Sequence, residues 1–126
     1  MIAAAAGSWI FGAVWYMSLS KAWIEVSGVK LGADGKPAND KSPVPHMLSA
    51  LCMVLVAGMM RHMLNAAGIT EVGQSALTGL GVGLFFIAPW IMINNGYAGR
   101  PFKATLIDGG YAVFGCTIIG LILALF

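Results

Sequence analysis

The chain has 126 residues, of which 59% are hydrophobic and only 10% charged, with a formal net charge of +2. Soluble domains carry about 45–50% apolar and about 25% charged residues, so water is the wrong solvent for most of this sequence. So small a charge, without a basic face or stripe, gives no support to a nucleic-acid partner. The two cysteines, Cys52 and Cys116, both sit in apolar runs and supply neither a disulfide framework nor a zinc spacing.

The opening run, Met1–Leu19, has no positively charged start and meets its first basic residue only at Lys21. It is therefore expected as a retained span rather than a cleaved signal peptide, entering with its N-terminus outside. Lys21-Ala22-Trp23-Ile24-Glu25-Val26 then mixes charged and apolar residues, which predicts a short helix lying at the membrane interface with Trp23 as its anchor. Turn-forming residues from Gly32 to Pro43 predict an exposed loop over 30–43.

Three further apolar runs follow, giving expected helices at about 1–19, 44–64, 72–93 and 105–126. Each is close to the roughly 17–25 residues that cross about 30 Å of hydrocarbon as a helix. In hydrocarbon the backbone must satisfy its own hydrogen bonds, which excludes irregular chain, and the runs are too long and too uniformly apolar for barrel strands. Gly68 suits a helix C-cap and Thr70 an N-cap in the link Asn65–Glu71, and Asn94 and Asn95 suit the end of the third helix. The expected fold is an all-α integral membrane protein: one membrane domain over 1–126, with four transmembrane helices as two antiparallel hairpins and a short interfacial helix after the first.

Lys21, Lys30, Lys36, Lys41, Arg100 and Lys103 fall in the first and third loops, against Arg61 with the neighbouring His62 near the second. The positive-inside rule then places loops 20–43 and 95–104 in the cytoplasm and both termini in the periplasm.

Helices in lipid associate through close packing and polar contacts, so small residues at four-residue spacing mark their contact faces. Helix one offers Ala4, Ser8 and Gly12. Helix three offers Ser75, Gly79 and Gly83, and helix four Ala112, Cys116, Gly120 and Ala124. These faces serve either to pack the monomer or to receive a second copy, and helix three, which also carries Gly81, is the better candidate for the second role. Pro89 lies inside span three and should leave the Phe85 carbonyl free and kink the helix, as in ordinary membrane helices or, less commonly, beside a transporter's binding site.

The polar hairpin cluster Asn94, Asn95, Arg100, Lys103, Asp108 and Tyr111 is the most informative for function. Asp108 is expected near the cytoplasmic interface, pinned by Arg100 or Lys103, with a proton or cation site as the alternative. His46 lies at the same interface, where a His–Asp relay is the sharper reading and contact with water or headgroups the plainer one. Met59, His62 and Met63 could offer Cu(I) soft ligands, but methionine also fills gaps between helices, so no metal and no cofactor is expected. Cys52 and Cys116 lie at similar depths and are read as packing residues. No Ser-His-Asp set, phosphate loop or metalloprotease spacing is present, which points away from an enzyme.

With Trp15-Tyr16, Lys21-Ala22-Trp23, Gly99-Arg100-Pro101-Phe102-Lys103 and Ile107-Asp108-Gly109-Gly110-Tyr111, the chain resembles a family of small four-helix bacterial membrane proteins catalogued as domain of unknown function 1761. The resemblance covers nearly the whole length. It implies a bacterial inner-membrane location and no established activity, so it supplies no catalytic residue. The expected function is a non-enzymatic bundle acting through helix association, with itself or as an accessory subunit of a larger respiratory or photosynthetic membrane complex. The alternative is a minimal transporter or channel for a proton, cation or small solute.

Overall fold

In the computed structural model, residues 1–33, 35 and 42–126 are described, and half of the expected exposed loop 30–43, positions 34 and 36–41, lies outside them. Among the described residues the chain is helical without strands: α1 (Ile2–Ser18), α2 (Ser20–Ser27), α3 (Val44–Ala66), α4 (Val72–Gly81), a π-helical segment (Val82–Ile87), α5 (Ala88–Tyr97) and α6 (Phe102–Leu125). Three helices, Val44–Ala66, Val72–Tyr97 and Phe102–Leu125, are long and apolar enough to cross a membrane. A fourth crossing results if α1 and α2, bent by 82° at Leu19, count as one broken span.

Three glycines end helices in the left-handed conformation: Gly28 after α2, Gly68 after α3 and Gly99 after α5. At Gly68 (φ +70°) the Ile69 N–H reaches the Leu64 carbonyl and the Gly68 N–H the Asn65 carbonyl, which satisfies the last turn of α3. The N-cap of α4 is Glu71 rather than Thr70, with no side-chain capping bond. Gly99 (φ +71°) closes α5 in the same way, through Arg100 N–H to the Asn95 carbonyl. The helix thus runs to Tyr97 instead of stopping at Ile93.

The turn before Pro89 departs from α-helical geometry. The preceding turn widens into the π segment, where the Ala88 N–H bonds the Gly83 carbonyl five residues back. Widening makes room for the proline ring against the preceding turn, and residues 72–97 remain one helix.

Helix α6 is the centre of the bundle, with α4, the π segment and α5 along one side and α1 along another. The stripes Ser75-Gly79-Gly83 and Ala112-Cys116-Gly120 face each other, antiparallel. A Cβ on Gly79 would collide with the Cys116 carbonyl, one on Gly120 with the Ser75 carbonyl, and one on Gly83 would fall 2.5 Å from the Ala112 carbonyl oxygen. Both faces are therefore consumed inside the chain, which leaves neither Gly79 nor Gly83 for a second copy. Ala4, Ser8 and Gly12 of α1 are buried as well.

Of the two hairpins expected at the short links, spans two–three and spans three–four, only the second closes. α3 lies against α1, through contacts such as the Trp9 indole N–H to Ser49 Oγ at 2.9 Å, and makes no extended contact with α4. Physically, α3 has no small-residue stripe to match the one on α4, and α6 already occupies that face. The main core joins Ala4, Ala5, Ala57, Met60, Leu64, Cys116, Ile119 and Leu123. A second cluster joins Val26 of α2 to Ala104 and Ile107 of α6, with the half-buried Trp23 packed on it.

Backbone contact at Gly79 leaves nothing soft to give way, so Gly79→Ala should lose about 1–3 kcal/mol of folding stability. Gly81 has open space where its Cβ would stand, so Gly81→Ala should be neutral or slightly stabilising. Unfolding in detergent micelles against a denaturing surfactant measures both; equal losses at the two positions would contradict the α4–α6 contact.

Candidate functional site

At the end of the bundle where α1 meets α2, six aromatic rings gather because glycines on the facing helices leave room for them. A Cβ on Gly12 would stand 2.7 Å from the Tyr111 ring, and one on Gly110 would stand 2.8 Å from the Trp15 ring. Phe11, Trp15, Tyr16, Trp23, Tyr111 and Phe114 form a continuous set with centroids 5.5–6.5 Å apart, mostly tilted or edge-on. Such offset geometry suits the quadrupoles of the rings.

Polar bonds run through this set. The Trp15 indole N–H donates to the Ile107 carbonyl at 2.9 Å, and the Tyr16 hydroxyl donates to Asp108 Oδ1 at 2.7 Å. Tyr111 Oη reaches the Ser8 carbonyl at 3.3 Å and Met53 Sδ at 3.5 Å, and Ser8 Oγ also contacts that sulfur. The segments Trp15-Tyr16, Trp23 and Ile107–Tyr111 are far apart in sequence, yet they make one site.

Asp108 is half-buried, and its partner is Tyr16, not Arg100 or Lys103. The expected ion-pair pin is thus replaced by a charge-assisted hydroxyl bond: Arg100 and Lys103 precede α6 or sit in its first turn and are exposed, whereas Asp108 is a turn or more further in. Arg100 Nη1 instead donates to Asn95 Oδ1 at 3.1 Å. Asn95, 3% exposed, donates from Nδ2 to Thr105 Oγ1 at 3.2 Å. Asn95 therefore ties α5 to α6 rather than capping a helix, and Asn94 is exposed.

The remaining candidates stay apart. His46 is exposed at the start of α3 and does not pair with Asp108. Met59 and His62 are exposed and Met63 half-buried, while Met60 turns into the core. Cys52 is exposed, and Cys116 is buried against Gly79; both thiols are free.

Because α3 stands off from the 72–97 helix, a groove of about 360 Å³ opens between them. Met53 and Val56 form one wall, Ile87 and Ile91 the other, and Ala112, Gly115, Cys116 and Ile119 of α6 the floor. Ser8, Tyr16, Asp108 and Tyr111 supply its polar groups. From the sequence Ser8 is singled out only as part of a contact face, Tyr16 only within the family motif and Met53 not at all, since neither a tyrosine nor a methionine in a span carries a chemical signal by itself. The retrievable signal was Gly110, two residues beyond an acid, which leaves space for the Trp15 ring from another helix.

Over residues 1–124 the chain matches the family described as protein of unknown function (DUF1761), and it belongs to that family. No curated protein and no solved structure matches it.

Removing the buried amide in Asn95→Ala strands both Thr105 and Arg100, and should cost about 1–3 kcal/mol. Asn94→Ala, one residue away and exposed, should change stability little. Thermal unfolding in detergent distinguishes them, and indifference to both would contradict the bridging role.

Proposed function

We propose that this DUF1761 member is a multi-pass protein of the bacterial cytoplasmic membrane that takes a proton, a cation or a small solute into the groove between α3 and α5, with Asp108 as the polar anchor. The observation that carries this reading is an acid at the side of a groove whose facing walls are apolar, held through one oxygen by one hydroxyl. A carboxylate offers about four lone-pair sites, so Oδ2 keeps acceptor capacity that a cation or a hydrogen-bond donor would use. Acids buried among membrane helices characteristically mark proton and ion pathways. The volume lies at the lower end of the roughly 300–1,000 Å³ of small-molecule sites, which suits an ion with water or a small amphipathic solute.

Many large apolar side chains point outward, among them Leu48, Leu51, Leu55, Leu77, Phe85 and Trp90. Hydrocarbon around these faces is the environment that favours them. With lipid outside, the count of basic residues supports both termini on the periplasmic side. The approach of Gly28 to Arg100, where a Cβ would come within 3.9 Å of Nε, supports one shared end for the first and third loops.

A second reading is favoured by the incomplete contact between α3 and the 72–97 helix. A helix from a second copy, or from a larger respiratory or photosynthetic assembly, would close the groove from the lipid side. Both readings are non-enzymatic and need no cofactor. Association would then use this opening rather than the glycine stripes.

Reconstitution in proteoliposomes under a pH or alkali-cation gradient should give flux that Asp108→Asn lowers at least about tenfold, a barrier change of about 1.4 kcal/mol. Tyr16→Phe should give an intermediate value. Absence of flux with the unaltered protein, together with a species much larger than the monomer in several mild detergents, would transfer the case to the second reading.

A further inference from the structure

A second, smaller cavity lies at the opposite end of the bundle, where α3 turns into α4. Its volume is about 180 Å³, and it is lined by Arg61, Leu64 and Asn65 of α3, Ile69 and Thr70 of the link, Ser75 of α4 and the end of α6. Leu64, Ile69 and Leu123 make its walls apolar. Arg61, Asn65, Thr70 and Ser75 bring four groups able to donate hydrogen bonds to one small space.

Two features of this corner have no use in the fold. Ser75 is 1% exposed, and its Oγ is the buried side-chain polar atom without a hydrogen-bond partner among the described residues. A hydroxyl in a membrane helix can satisfy itself on the carbonyl one turn back, as the less buried Thr78 does on Gln74 and Thr117 on Val113. Ser75 does not, so its proton is left for something in the cavity. Arg61 is half-buried, and among the described residues its guanidinium makes no ion pair.

We propose that this corner binds one phosphoryl group. A guanidinium fork matches two oxygens of a phosphate, and hydroxyls and an amide on other sides of the cavity suit the rest better than they would a two-oxygen carboxylate. The volume admits a phosphate ester. Position agrees as well: the cavity sits beside Leu123 and Ala124 at the end of the 24-residue α6, at the level where headgroups meet hydrocarbon. Glu71, whose carboxylate lies beside the first turn of α4 near Gly73, is not among the lining residues. The site is separate from the Asp108 groove and stands whether or not that groove carries a solute.

Native mass spectrometry of the full chain in mild detergent tests it, with phosphatidylglycerol, inorganic phosphate and diacylglycerol as probes. One phosphate-bearing molecule should stay bound per chain, and Arg61→Gln should weaken retention about tenfold or more. Ser75→Ala should weaken it severalfold; it removes only an oxygen, so the tight contact with Gly120 persists and thermal unfolding confirms the fold. Retention of phosphatidylglycerol but not phosphate identifies a lipid headgroup, and the reverse a soluble ester or ion; either supports the site. Retention of diacylglycerol equal to phosphatidylglycerol, no retention of either phosphate probe, or unchanged retention in both variants would overturn it.

Discussion

The fold depends on direct backbone contact between α4 and α6. Gly79 and Gly83 on one helix and Gly120 on the other bring carbonyls where side chains would ordinarily stand, and so close an approach maximises dispersion between the two helices. Once α6 has spent that face on α4, its other faces are left for α1 and, near the aromatic end, for α2. The placement of α3 follows, since it finds its partner in α1.

That arrangement makes the groove. A bundle whose consecutive helices all packed as neighbours would close the space between α3 and the 72–97 helix; here α6 separates them and forms the floor. The π segment lies along the same wall, where Ile87 borders the cavity and Gly83 touches the backbone of α6. A local widening thus lets one helix carry a proline, keep its tight contact and still present apolar side chains to the opening. At the aromatic end the same economy of small residues operates differently: Gly12, Gly110 and Gly115 make room for rings and hydroxyls rather than for backbone.

Much of the architecture was legible in the amino-acid sequence, because runs such as Val44–Leu64 have the length and polarity of a helix able to cross a membrane. The short helix after α1 was legible from its mixed charge and tryptophan, and the contact stripes from their spacing. Helix partnership was not, since a leucine facing lipid and a leucine facing another helix look alike in composition. The end of α5 was misjudged at Asn94 and Asn95 because an asparagine that finds partners on another helix has no need to compete for the backbone. Asp108 was legible as a distinctive residue, whereas its bond to Tyr16, 92 positions earlier, depends on the antiparallel register of α1 and α6, which no local pattern encodes.

The most direct measurement of this arrangement is a set of engineered cysteine pairs joined by a short crosslinker in native membranes, scanning α3 against α1 and α3 against residues 72–87. The account predicts a ladder between α3 and α1, with positions 9 and 49 among its strongest rungs, and none between α3 and α4 beyond the few residues that flank the 67–71 link. A ladder joining α3 to α4, with α1 unreactive, would contradict the central position of α6 and close the groove on which the functional reading stands.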